Sequence, residues 1–364
     1  MISVLNRYII RRVISGTALA FVIVTGIIML VDFVEGSRNF GADENIGLST
    51  LLFLTILKTP TLIEQTIPFV ILFGLMGTLY NLNRRSELIV LRASGLSAWK
   101  FLSPAILTTA FFGLIWSLIF NPLASLAMDT HDNFLKRTTG TEINKTDKAI
   151  WLREGGDVSQ TVIYAKEADI LNRRILDTTF YIFDYDKEGT ARFNRRFDAK
   201  GAQLVTQGYW QLEEVIENAE GELTRSQSAI SLPTTITMED ISSFAHNKSS
   251  VPFWGLMQEI RRTEKAGFSA VSLRMQFNKL LALPVMLIAM TIIAACVSMR
   301  FNRKGGALRL LIIGSFLGFA VYFADNVVSA FGQATILPIL LAAWSVPLFV
   351  LFCGLSYLAI TEDG

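Results

Sequence analysis

Cysteine, histidine and charge are all scarce in this chain, and each scarcity removes a class of function. Its two cysteines, Cys296 and Cys353, both lie in apolar runs, and the polar block from Pro122 to Phe277 has none. Disulfides therefore do not hold that block together, even in a compartment that would permit them. The two histidines, His131 and His246, have no cysteine partner and no metal-ligand spacing, so they read as surface residues. No Gly-x-x-x-x-Gly-Lys-Ser/Thr loop occurs, which excludes a nucleotide cradle of the P-loop type in this chain. Gly305-Gly306 after Arg303-Lys304 is a basic turn between helices. No Gly-x-Ser-x-Gly elbow appears, and the many Asp and Glu residues of the polar block are scattered as on a solvated surface. Nothing in this pattern argues for catalysis.

Charged residues are only 18% of the chain and hydrophobic ones 51%. The apolar residues gather in six runs, near Val13–Val31, Pro60–Leu82, Phe101–Phe120, Leu280–Met299, Ala307–Val328 and Ile336–Ile360. Each is long enough to cross a hydrocarbon core of ~30 Å, which takes about 20 helical residues. The first run is too long for a signal-peptide core, and no small-x-small site follows at Val31–Arg38, so it is expected to stay as an anchor. The expected fold is a polytopic α-helical membrane protein, three spans on each side of an inserted all-β domain. The domains expected are an N-terminal transmembrane half over 1–123, a β domain with flanking helices over 124–272, and a C-terminal transmembrane half over 273–364.

The formal net charge of +2 says little, because charge segregates by position. Arg7, Arg11 and Arg12 precede the first span; Arg84, Arg85, Arg92 and Lys100 follow the second; Arg300, Arg303, Lys304 and Arg309 follow the fourth. The opposite loops carry only Arg38 and Lys58 in the first and no basic residue at Phe331–Leu337. The positive-inside bias then places both termini in the cytoplasm and the β domain outside.

Within the polar block, Gln160–Ala165, Thr178–Tyr185, Gly201–Val205, Tyr209–Ile216 and Ser228–Ile236 read as strands. Turns are expected at Gly155-Gly156, Lys187-Glu188-Gly189 and Ala219-Glu220-Gly221, giving a sandwich or an open barrel. Helical ends are expected at Ala124–Lys136 and Phe253–Ala266.

Several polar features interrupt the apolar spans. Glu64 in span two reads either as an interfacial helix end or as a cavity lining, with Pro60 and Pro68 supporting a local break. Asp325-Asn326 in span five reads either as a cavity lining or as an outer helix end. Gly314 and Gly318 form a small-x-x-x-small pattern that lets helices approach closely. Between spans two and three, Arg84 to Gly95 forms a short amphipathic helix, with Leu88 and Leu91 on the face that carries Arg84 and Arg92. It suits either the membrane interface or a partner's groove.

That helix, with Arg85-Ser86-Glu87-Leu88 and then Ala93-Ser94-Gly95, resembles the cytoplasmic motif of the lipopolysaccharide-export permeases of the LptF/LptG family. Leu5-Asn6-Arg7-Tyr8-Ile9 is similar to that family's start, and Gly208-Tyr209-Trp210-Gln211-Leu212 to a strand of its periplasmic domain. Phe277-Asn278-Lys279 with Pro284 and Met286 resembles the beginning of its fourth span. The Arg-Ser-Glu triplet and Ala-Ser-Gly ending are more like the LptG branch, since the LptF branch tends to carry a second acidic residue and Cys-Gly there.

The resemblance implies six spans with a periplasmic jellyroll, in the bacterial inner membrane. It implies a heterodimer with an LptF-like permease, an LptB-like ATPase dimer that binds the ATP and Mg, an LptC-like single-span protein and an LptA-like periplasmic bridge. The ligand implied is lipopolysaccharide, in contact with membrane lipid and no nucleic acid, and this chain itself carries no cofactor. Glu87 becomes the polar ATPase contact, with Arg84, Arg85 and Arg92 around it and Leu88 and Leu91 as apolar anchors. Gly314 and Gly318 become part of a gate towards the partner permease. Asp32, Arg38, Glu64 and Asp325 become possible cavity or substrate contacts. One departure stands out: some members carry lysines at the outer end of span one, where this chain has Asp32 and Glu35 with only Arg38 basic nearby. The alternatives are the LptF-like paralogue and a membrane-anchored envelope scaffold or sensor.

Overall fold

The computed structural model describes residues 4–40, 47–87, 90, 93–94, 97–138, 145–146, 150–155, 159–169, 172–185, 191–205, 208–219, 223–236, 251–265, 269–300 and 307–362. It contains two compact units, one of Met1–His131, Val251–Met257 and Val271–Gly364, the other of Asp132–Ser250 and Gln258–Ala270.

In the first unit, α1 (Val4–Phe40) and α2 (Leu48–Arg84) are followed by α3 (Ala98–Ile115), a π-helical turn (Trp116–Phe120) and α4 (Asn121–Thr138). Beyond the polar block come α5 (Phe253–Lys265), α6 (Val271–Arg300), α7 (Ala307–Gln333) and α8 (Ile339–Glu362). Six helical stretches among these are long and apolar enough to cross a membrane, α3 and α4 together making the third. The helices outrun the apolar runs expected from sequence: α2 begins at Leu48, in a stretch that is itself apolar, with Leu51 and Leu54 buried.

Spans two and four form the centre. Ile67, Leu72 and Leu75 of α2 and Leu287, Met290 and Ala294 of α6 are completely buried. Span one is the most exposed of the six. Close crossings depend on small residues, as expected where lipid gives no hydrophobic drive between helices. A Cβ on Gly74 would sit 2.7 Å from the Thr17 Cα of α1, and one on Gly113 2.7 Å from the Pro284 Cα of α6. Thr291 Oγ1 and Thr109 Oγ1, 3.0 Å apart, add a buried hydrogen bond between α6 and α3.

The local break expected at Pro60 and Pro68 does not occur: both lie inside the continuous α2. Threonine hydroxyls supply donors nearby, Thr59 Oγ1 to the Thr55 carbonyl at 2.6 Å and Thr66 Oγ1 to the Ile63 carbonyl at 3.0 Å. The irregularity lies in span three instead. Pro122 has no N–H for the Leu118 carbonyl, and the Trp254 indole N–H donates to that carbonyl at 3.0 Å.

The second unit is an antiparallel sheet of β1 (Lys145–Thr146), β2 (Ile150–Gly155), β3 (Ser159–Asp169), β4 (Arg174–Tyr185), β5 (Ala191–Val205), β6 (Tyr209–Ala219) and β7 (Arg225–Pro233). From β3 to β7 neighbours in sequence are neighbours in the sheet, and β1 and β2 both pair with β3. All five strands read from sequence are present, with different ends. The first half of β5 and the strands β1 and β2 were not among them. Of the expected turns, Lys187-Glu188-Gly189 lies outside the described residues, as do Gly156, Glu220 and Gly221.

One face of the sheet is apolar, with Leu152, Ile163, Phe180, Phe197, Trp210 and Leu212 buried together. A crease crosses it. Pairing steps over Lys166 and Asp177, then Asp177 and Lys200, then Lys200 and Glu214, then Glu214 and Ser228. Along each strand the buried positions shift there from every second residue to the third, from Ile175 to Thr178, Ala199 to Ala202 and Leu212 to Val215. Asp177 and Glu214 take positive φ of 47° and 49°. Irregularities of this kind bend a strand, and aligned across the sheet they bend it along one line. The exposed ridge alternates in sign, Lys166 bridging to Asp177 at 3.8 Å and Lys200 to Glu214.

Candidate functional site

Four spans surround a polar cavity of about 460 Å3 in the transmembrane unit. Glu64 and Phe69 of α2, Lys279 of α6, Tyr322 and Asp325 of α7 and Pro347 of α8 line it. Lys279 Nζ donates to Asp325 Oδ2 at 2.9 Å, tying spans four and five together. Asn121 Nδ2 donates to both carboxylate oxygens of Glu64, at 3.1 and 3.0 Å. The Asn121 carbonyl oxygen in turn accepts the Phe253 backbone N–H at 2.9 Å. One buried amide thus links spans two and three to the first turn of α5. Ionisable groups at this depth need such partners, since lipid offers none.

Glu64 and Asp325, proposed from sequence as possible contacts, are therefore brought to one cavity. Lys279 and Asn121 were not among the sequence candidates for it. Lys279 had drawn notice only within a longer motif, and the signal for Asn121 was a carboxamide directly before a proline in an apolar segment. Asp32 and Arg38 lie elsewhere. Asp32, largely buried near the C-terminal end of α1, accepts a hydrogen bond from Lys58 of span two at 2.6 Å. Arg38 is exposed in the last turn of α1.

Gly314 and Gly318, expected to form part of a gate towards another permease, pack within this chain. Both are buried inside this chain. A Cβ on Gly314 would meet the Met76 side-chain end at 2.3 Å, and one on Gly318 the Leu72 side chain at 2.7 Å. The close approach they allow is between spans five and two. The bulky exposed residues of span five include Leu308, Ile312, Phe316, Phe319 and Phe323.

At the opposite end, α2 stops at Arg84 and the chain turns through Ser86, which takes a φ of 61°. Glu87 opens a new helical turn, marked by Val90 N–H donating to the Ser86 carbonyl at 3.1 Å and Ser94 N–H to the Val90 carbonyl at 3.0 Å. Leu88, Leu91, Arg92 and Gly95 lie outside the described residues; Arg84 and Arg85 are exposed. The Glu87 carboxylate is engaged within the chain, where Tyr8 Oη of α1 donates to Oε2 at 2.7 Å. Arg12 Nε donates to the same Tyr8 oxygen at 3.0 Å, and its guanidinium lies 5.1 Å from the ring centre. Sequence reasoning placed Glu87 as a contact but missed Tyr8, 79 residues away in the chain.

No group of three or more metal-ligating side chains occurs among the described residues. His131 is half-buried in α4, and His246 lies outside the described residues.

Six spans, a polar intramembrane cavity and an inserted antiparallel sheet define a multi-pass membrane permease. The model of the lipopolysaccharide export system permease family LptF/LptG matches residues 7–360, and the chain belongs to that family. It is 21% identical over 345 residues to the lipopolysaccharide export system permease protein LptG of Haemophilus influenzae, covering 92% of each chain.

Proposed function

We propose that this chain is the LptG-like half of an inner-membrane permease that extracts lipopolysaccharide, driven by ATP hydrolysed on a separate subunit. The observation that carries the reading is the family match along nearly the whole length, residues 7–360. Similarity to an LptG over 92% of the chain supports the LptG-like assignment. So do Arg85-Ser86-Glu87 and Ala93-Ser94-Gly95. An LptF-like role is the alternative.

In this reading the termini are cytoplasmic and the sheet domain periplasmic, following the basic residues that flank spans one, two and four. The domains proposed are a transmembrane half over 1–123, the sheet domain with flanking helices over 124–272 and a second transmembrane half over 273–364. An LptF-like permease completes the transmembrane pathway, an LptB-like ATPase dimer binds ATP and Mg, and LptC-like and LptA-like proteins continue the route. The size of the cavity supports the need for a second permease. About 460 Å3 falls within the range of single small-ligand pockets, whereas a lipid with several acyl chains needs a larger, shared chamber. Exposed aromatics of span five supply a surface for that pairing.

Force enters at the Glu87 segment. Closure of the ATPase dimer moves the loop helix, and the Tyr8–Glu87 hydrogen bond carries the movement to span one. The walls of the shared chamber then narrow and the lipid leaves upward. Glu87 sits either on Tyr8 or on the ATPase during the cycle, so its role includes an internal tether as well as a partner contact.

The test is affinity purification of the full-length chain from native membranes without cross-linking. A nucleotide-hydrolysing subunit co-elutes with the wild type and is diminished with Glu87→Ala. A chain that purifies without any ATPase overturns this reading in favour of an anchored scaffold or sensor.

A further inference from the structure

A second groove, of about 490 Å3, runs along the seam between α1 and α2 and is distinct from the polar cavity. We infer that it holds one acyl chain of an anionic glycerophospholipid, with the phosphate between Arg12 and Arg85. The site does not depend on the proposed function.

Shape comes from the two helix faces. Ser15, Leu19, Ile23 and Ile27 follow one another along the groove wall of α1 at helical spacing, opposite Phe73 and Gly77 of α2. Gly16 and Gly74 bring the helices into contact at the floor, where a Cβ on Gly74 would meet Thr17 Cα at 2.7 Å. Gly77 is different: a Cβ there meets nothing within 4 Å, because it would point into open groove. From Ser15 to Ile27 the groove measures about 18 Å at the α-helical rise, close to one leaflet of a core of ~30 Å. That is the depth one acyl chain occupies.

Polarity gives the head group. Arg12, Asn81 and Arg85 line one end, and the other end, towards Ile23, Ile27 and Phe73, is apolar. Among the described residues, no acidic one lines the groove. Arg12 is held in place by its Nε bond to Tyr8 Oη at 3.0 Å. Paired guanidiniums suit a phosphate better than a zwitterionic head, since each offers a planar fork of donors and a fixed positive charge. The occupant is thus a lipid of the leaflet that contacts the basic ends of the spans.

The test uses the full-length chain in nanodiscs of equal parts phosphatidylglycerol and phosphatidylcholine, with retained lipid read by native mass spectrometry. One phosphatidylglycerol stays per chain, enriched about thirtyfold over phosphatidylcholine, as expected for two basic residues near a membrane surface. Gly77→Leu fills the groove and loses the retained lipid. Its fold is expected to persist, since leucine is the better helix former and meets no neighbour. Ile23→Trp fills the groove from the α1 side and gives the same loss. Arg12→Gln with Arg85→Gln still retains a lipid, but without preference for phosphatidylglycerol. Equal retention of both lipids by the wild type overturns the proposal, as does undiminished phosphatidylglycerol in both groove-filling variants. A photoreactive residue at Leu19 that cross-links to a partner helix in native membranes, and not to phospholipid, overturns it too.

Discussion

At the scale of single residues, two contacts explain why charged groups are placed where they are. The Lys279–Asp325 pair at 2.9 Å lets spans four and five carry opposite charges next to a cavity that also holds Glu64. Lys279→Met strands the Asp325 carboxylate, and about 1–3 kcal/mol of stability is lost for a pair that is only partly desolvated. Thermal unfolding in detergent checks this, and combining it with Asp325→Leu restores the melting temperature while removing the polar lining. The second contact is the Tyr8 hydroxyl on Glu87. Tyr8→Phe removes only that donor, so in double-mutant cycles with Glu87→Gln the two changes combine non-additively, by about 0.5–1.5 kcal/mol in ATPase affinity. Strict additivity would detach Tyr8 from the coupling segment. Glu87 was visible in the sequence because it sits in a recognisable motif. Tyr8 was not, because a pair 79 residues apart leaves no local periodicity.

At the scale of elements, legibility follows the kind of solvent each segment meets. Six apolar runs announced six spans, since lipid demands a continuous hydrophobic stretch and tolerates little else. Beyond the runs the sequence loses its grip: the ends of α1, with Arg7, Arg11, Arg12, Asp32 and Glu35 among apolar residues, carry little hydropathy signal. The strand β5 shows the same limit. Its first half, Ala191–Lys200, carries Arg192, Arg195, Arg196 and Lys200, which looks like a loop until the neighbouring strands are present. Arg195 then reaches Glu217 of β6 at 3.2 Å, and Arg196 bridges Asp198 of its own strand at 2.7 Å. The crease from Lys166 to Ser228 was illegible for a related reason, since it exists only in the register of five strands.

The glycines of α7 teach the converse. Their spacing was plain, but their partner was not, because a small-x-x-x-small stripe does not say which helix it meets. The structure gives span two, and Gly318→Leu tests it. A leucine there must displace Leu72 and Phe69, costing about 1–3 kcal/mol as over-packing in the isolated chain. A loss that appeared only when a second permease was present would move the stripe back to the subunit interface.

At the scale of the whole molecule, the proposed role as half of a heterodimer rests on what the chain leaves exposed. Its transmembrane unit is built around spans two and four, and it leaves span one and one face of span five exposed. The Glu87 segment hangs from the end of span two and is bonded to the start of span one. A push on that segment therefore reaches the most exposed span both through that hydrogen bond and through span two, which packs against span one at Gly16 and Gly74. The sheet domain contributes a bent apolar face on which Phe180, Trp210 and Leu212 are buried.

The most direct measurement is ATP-driven release of lipopolysaccharide from proteoliposomes that contain this chain, an LptF-like permease and the ATPase. The account predicts release with the wild type, and with Glu87→Ala a fall in lipid released per ATP hydrolysed. Glu87→Ala with both ATPase association and lipid release at the wild-type level would contradict it.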